Sequence, residues 1–162
     1  MQRASPMMLV VVLTATWAVA AGSSPARRAM VKIGDEVFQL EVATTSEEHS
    51  RGLMNRPEIP VDGGMLFVFA EEQVRQFWMA YTLVDLDILF LDSRGRIVAM
   101  HEMRAERAQS PAEREVDYFD RLPRYSSSKP AMYAIELRGG TLGALRAKVG
   151  DTVELQLDDR AR

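Results

Sequence analysis

The chain has 162 residues, 47% of them hydrophobic and 27% charged, with ten methionines and no cysteine, the proportions of one soluble globular domain. Without a thiol there is no disulfide framework, no cysteine-ligated zinc or iron–sulfur centre, no cysteine nucleophile and no lipidated N-terminal cysteine. Twenty Lys and Arg against 23 Asp and Glu give a net charge of −3, too acidic and too mixed to attract phosphate backbones, so nucleic acid is not an expected partner.

The first element is a leader. Arg3 is followed by Met7–Ala21, fifteen residues without a charge, the layout of a secretory signal peptide. A permanent span needs about 20 apolar residues, and Ala18 and Ala20 offer a small-residue cleavage site. The expected organisation is a signal peptide over 1–20, a flexible segment over 21–29, a single β domain over 30–157 and a tail over 158–162. The expected location is the periplasm or the exterior, with membrane contact only through an uncleaved leader.

Within the domain, Gly34-Asp35 separates two short apolar stretches whose residues alternate, which predicts a hairpin over Met30–Val42. Thr45-Ser46-Glu47-Glu48 reads as a capping box that starts a short helix reaching about Met54, before Pro57 and Pro60. Met65–Phe69, Phe77–Met79 and Leu86–Leu91 are apolar runs of strand length, suited to strands covered on both faces. Asp92-Ser93-Arg94-Gly95 is a turn, and Ile97–Met100 returns as the hairpin partner. Arg104–Lys129 carries two prolines and many charges and predicts a long surface excursion or binding loop, with a turn of helix near Ala112–Val116. Ala131–Leu137 predicts a strand. Thr141 is placed to cap one or two helical turns, and Val153–Leu157 alternates as a half-buried strand. The whole is a mainly β, compact sandwich, jelly-roll-like or barrel-like domain with one or two short helices.

Several segments carry a wider pattern: Arg51-Gly52-Leu53-Met54-x-Arg56, Gly64-Met65-Leu66-Phe67-x-Phe69, Phe77-Trp78-Met79-x-x-Thr82 and Leu86-Asp87-x-x-Phe90-Leu91-Asp92. Tyr125-Ser126-Ser127, Tyr133-x-x-Glu136-Leu137 and Val149-Gly150-Asp151 continue it. In order, these resemble the signature of the family catalogued as domain of unknown function 192, over about residues 30–157. The resemblance implies a compact, mainly β fold, often exported, and no established reaction. The chain departs from the pattern at Ala80, Tyr81 and Asp85, where the family carries a basic residue, an asparagine and a proline.

Arg51, Met54, Trp78, Thr82 and Asp87 are the candidate ligand-binding residues. Arginine supplies a planar donor fork, tryptophan an aromatic face with one donor, and aspartate a fixed acceptor, above an apolar floor from Met54, Met65 and Met79. Arg51 paired with Asp87, and Trp78 in the core, is the structural alternative. Asp85 and Asp87, two apart on one strand, would share a face and allow a carboxylate dyad or a cation site. His101 and Met103 share a face in the same way and suit copper. No nucleophile elbow, phosphate loop, dinucleotide fingerprint or H-E-x-x-H motif is present. The expected function is non-enzymatic, with no cofactor: an accessory protein of the cell envelope that binds a small polar ligand or an envelope protein. An envelope polysaccharide hydrolase and a copper- or cation-binding protein are the alternatives.

Overall fold

The computed structural model describes residues 27–157. The expected signal peptide, positions 21–26 of the flexible segment and the tail lie outside the described residues. Strand β1 (Arg28–Ile33) pairs with β2 (Glu36–Ala43) in the expected hairpin. It begins two residues before the expected domain boundary because the chain is already anchored there. Ala29 is buried, the Arg27 carbonyl accepts from the Val42 amide at 2.8 Å, and the Arg27 guanidinium holds both Glu48 oxygens at 2.9 and 3.0 Å.

Helix α1 (Ser46–Arg51) starts at the predicted capping box: the Glu48 amide donates to Thr45 Oγ1 at 3.2 Å, and the Thr45 amide donates to Glu48 Oε2 at 2.9 Å. Amide donors, that of Thr44 foremost, hold the Glu48 carboxyl down at about 2. The helix stops short of Met54 because Gly52 leaves it at φ +47°, a conformation that favours glycine.

Strand β3 (Gly63–Phe77) runs parallel to β2. The two strands expected at Met65–Phe69 and Phe77–Met79 are in fact one fifteen-residue strand, and Trp78 and Met79 lie beyond its end. It pairs with β6 (Tyr125–Arg138), with register shifts between Val68 and Gln73 and between Val74 and Gln76. Extra residues at such bulges bend a ribbon and re-aim its side chains, and here they interrupt a strand that sequence alone divides. Strands β4 (Leu86–Leu91) and β5 (Ile97–Met103) form the expected antiparallel pair, β4 being buried along its whole length.

Helix α2 (Glu115–Asp120) starts three residues after the start of the turn expected at Ala112–Val116 and overlaps it, and the end of the predicted excursion, Tyr125–Lys129, belongs to β6. Helix α3 (Thr141–Ala144) has Gly140 rather than Thr141 as its cap, because Thr141 Oγ1 donates to the Arg138 carbonyl at 2.6 Å instead. Strand β7 (Glu154–Gln156) pairs with β1.

The seven strands are ordered β5-β4-β6-β3-β2-β1-β7. The sheet curls until its ends meet: the Ile97 amide reaches the Asp151 carbonyl at 2.8 Å and the Val153 amide reaches Gly95 at 2.9 Å. The barrel-like form of the expected class is therefore the one adopted, as a half-barrel with three short helices. Alternation divides the apolar residues between two cores. Val31, Leu40, Leu66, Leu89, Leu91, Ile135 and Leu137 fill the inside of the curl. Met65, Phe67, Leu86, Ile88, Phe90 and Ala134 face outward, where Leu53, Ile59 and Met79 cover them.

The excursion before β6 has a small core of its own, in which Tyr118 and Leu122 pack on Ala80 with Met54, Tyr81 and Phe119 around them. Glu113 clasps its base by accepting from Arg121 at 2.7 Å, Arg107 at 3.2 Å and the Ser110 amide at 3.2 Å. The segment is thus docked against the residues that follow β3.

Candidate functional site

The five sequence-predicted binding residues divide into separate places. Arg51 is exposed on α1 and pairs with Glu47 one turn earlier, not with Asp87. Asp87, only 1% exposed, turns the other way, into the curl of the sheet. Its Oδ2 accepts from the Leu142 amide at 2.7 Å and its carboxyl also meets the amides of Gly140 and Thr141. Burial raises its pKa against those three donors. Asp87 therefore holds the start of α3, at the rim of a hollow of about 450 Å³ lined by Phe38, Val61, Arg138 and Leu145 among others. Thr82 is buried and donates to the Ala80 carbonyl at 3.2 Å, and Met54 packs on the small core of the excursion. Met65 and Met79 are buried in the outer core.

Trp78 is the predicted residue that reaches an open site. It is 40% exposed and lines a groove of about 270 Å³ with His49, Phe69, Val74, Arg75, Gln76 and Phe77. Phe77 stands edge-on to Phe67 at 5.0 Å and to Phe90 at 5.5 Å between centroids, so its ring is fixed from the core side. His49 lies 4.8 Å from Phe69, and its Nε2 is 3.1 Å from the Ala43 carbonyl. The Arg75 guanidinium sits 3.9 Å above the Phe69 ring, and that of Arg124 lies 4.4 Å from the Trp78 ring. Phe119, from α2, stands edge-on to Trp78 at 6.4 Å between centroids. The bulged end of β3 brings these rings together, which explains why the sequence, read as two strands, does not assemble them.

Glu136 is the residue that sequence reasoning missed as a site. It lies on the outward face of β6, 5% exposed, opposite Met65 on one neighbour and Ile88 on the other. Its Oε2 is buried with no hydrogen-bond partner among the described residues. Burial pushes this carboxyl up to about 8, with the charge of Arg56 pulling the other way. Arg56 itself is committed to Glu41, through two hydrogen bonds of 2.6 and 2.7 Å. Gly52 closes over the carboxyl: a Cβ there would stand 3.6 Å from Oε2 and 3.4 Å from Phe67 Cζ. Phe67, whose ring faces both His49 and Phe77, thus separates Glu136 from the groove. The signal was present in the sequence as one acid in the apolar run Ala131–Leu137.

The remaining candidates are occupied by backbone partners. Asp85 precedes β4 rather than lying on it, is exposed, and accepts from the Ala105 amide at 2.7 Å. It and Asp87 brace two different loops. His101 and Met103 do share the outward face, but His101 Nε2 is 2.8 Å from the Ser126 carbonyl. Among the described residues no three His, Asp or Glu side chains converge on a common point. Ser127 is buried, donating to the Lys129 carbonyl at 2.6 Å and accepting from the Arg75 amide at 2.9 Å.

The model of the family described as Uncharacterized ACR, domain of unknown function 192, matches residues 29–155. The chain belongs to that family. No curated protein matches it significantly. Five chains of solved structures match, two of them as follows. One, from Sinorhizobium meliloti 1021, is provisionally described as a transcription regulator; it is 29% identical, with a TM-score of 0.68, over 83% of this chain and 98% of that one. The other, from Novosphingobium aromaticivorans DSM 12444, is described as a protein of unknown function; it is 28% identical, with a TM-score of 0.63, over 87% and 99%. In this member of the family, the signature residues Gly52, Phe67 and Glu136 meet at one point of the outward face, and Phe69, Phe77 and Trp78 line the groove beside it.

Proposed function

We propose that the chain is an exported, non-enzymatic binding domain of the cell envelope, and that the groove between His49 and Trp78 holds its ligand, a small polar molecule. The observation that carries this reading is the groove itself, where three aromatic rings stand beside an arginine and a histidine with Trp78 left 40% exposed. Apolar walls with a few fixed polar groups are the general form of a small-molecule site. The non-enzymatic part is supported by the commitments of the other reactive groups: both histidines, Ser127, Asp85 and Asp87 are all engaged by backbone atoms. Export is supported by the charge-free Met7–Ala21 leader. A nucleic-acid role, which the description of the S. meliloti protein would suggest, gains no support from 20 basic against 23 acidic residues.

The test is a thermal-shift and NMR titration of the purified protein against sugars, small acids and metal salts. A ligand that moves the Trp78 indole resonance, and whose binding disappears in Trp78→Ala without a large fall in unfolding temperature, supports the groove. Binding that survives both Trp78→Ala and Phe69→Ala places the site elsewhere. Export is checked by cell fractionation and intact mass; uncleaved chain confined to the cytoplasm would overturn it.

A further inference from the structure

We propose that the groove selects a small anion with a flat apolar body, a carboxylate or phosphate monoester of one or two rings. This deepens the reading above and rests on it. Arg75, which lines the groove, lies over the Phe69 ring, and Arg124, beside that lining, lies over the Trp78 ring. Among the described residues, neither makes an ion pair with a carboxylate, whereas Arg121, the other arginine that lies over an aromatic ring, is paired with Glu113. Stacking fixes a guanidinium flat on its ring and leaves its edge free to donate in the plane.

The donor inventory shows what remains open. Arg75 gives Nε to the Ala131 carbonyl at 3.5 Å and Nη2 to the Glu71 carbonyl, and its Nη1 has no protein acceptor among the described residues. Arg124 gives only Nη2, to the Phe119 carbonyl at 3.2 Å. The Glu71 carboxylate, the acid that acts electrostatically on Arg75, accepts instead from Gln73 Nε2 at 2.9 Å. Arg75 is also partly withdrawn from water, and burial lowers its pKa. A partly desolvated cation with an open donor edge is compensated by an anion that accepts from it. Phe69, Phe77 and Trp78 supply the faces on which a flat body can stack. A volume of about 270 Å³, just below the range usual for drug-sized ligands, limits that body to one or two rings.

Isothermal titration with indole-3-acetate and phenyl phosphate, set against neutral indole-3-acetamide, tests the proposal, with NMR of the Trp78 indole and of the arginine Nε–H groups to place the ligand. The anions should bind at least tenfold more tightly than the acetamide and weaken as salt rises. Arg75→Met and Arg124→Met should abolish that preference while their unfolding temperatures stay close to that of the parent. Arg75→Lys, which keeps the charge, should retain part of it. Acetamide binding as tight as acetate, lost in Trp78→Ala, would overturn the anion class and leave the groove standing. Anion binding unchanged in both Met variants would also overturn it. No binding by any of the three compounds would remove the proposal and the groove together.

Discussion

Replacing Glu136 with glutamine should remove a loss of stability that this fold suffers as pH rises. The carboxyl titrates near 4.5 in an unfolded chain and at about 8 in the folded protein. Between those values the folded state holds a proton that the unfolded state has released, so stability falls as pH rises. Below pH 4.5 both states are protonated, and above pH 8 both are ionised, so the slope is confined to that window. Each pH unit inside it is worth about 1.4 kcal/mol, which makes the loss roughly 3 kcal/mol at pH 7 and about 5 kcal/mol once pH 8 is passed. Glutamine has nearly the same shape and no proton to lose. Its amide is buried at every pH, so any penalty it carries is a constant offset.

The measurement is urea unfolding of both proteins at several values from pH 4.5 to 8, plotted as the difference in free energy. Glu48 and Glu113, held down at about 2, add stability as pH rises from about 2 towards 4.5. They are common to both proteins and cancel in the difference. The difference should move in favour of Glu136→Gln by about 3 kcal/mol between pH 4.5 and 7. A difference that stays level across the window would mean that the folded carboxyl ionises normally, with Arg56 leaving Glu41 to neutralise it, and the description of Glu136 as a buried unpaired acid would be wrong.

Asp87→Ala removes the acceptor for three successive amides at the start of α3 and should cost about 2 kcal/mol in urea unfolding, while leaving any ligand of the groove bound with parental affinity. Tyr81→Asn restores the residue that the family signature carries. Global stability should change by less than about 1 kcal/mol, because relief of the positive φ offsets lost ring packing, but amide hydrogen exchange across the 104–124 excursion should accelerate. Unchanged protection there would show that Tyr81 does not anchor the segment.

Local chemistry made much of this fold legible. The capping box at Thr45 and Glu48, the Gly34-Asp35 hairpin and the buried run Leu86–Leu91 are each decided by residues within a few positions of one another, and each is present. The closure of the sheet through Gly95 and Asp151, and the joining of two apolar runs into one bulged strand, depend on residues about fifty or more positions away. No periodicity records them. The site shows the same division. Trp78 was legible as an aromatic residue in a motif, but its neighbours His49 and Arg75 become so only when α1 and the bulge are placed. Asp87 is a candidate by its chemistry, and the structure uses that chemistry to hold a turn.

Tyr81 shows how a departure from a pattern becomes readable once packing is known. Its φ is +51°, a left-handed conformation that asparagine tolerates and a bulky side chain resists. The cost is offset locally. The Tyr81 amide donates to the Tyr118 hydroxyl at 2.7 Å, its own hydroxyl donates to Gln109 Oε1 at 3.3 Å, and its ring meets Tyr118 at 5.0 Å and Phe119 at 5.9 Å. All three partners belong to the long excursion. The substitution and that segment are therefore one feature: a chain with asparagine at this position would have no ring on which to seat α2. Because Phe119 also stands against Trp78, the side chain that fills the asparagine position helps to fix one wall of the groove.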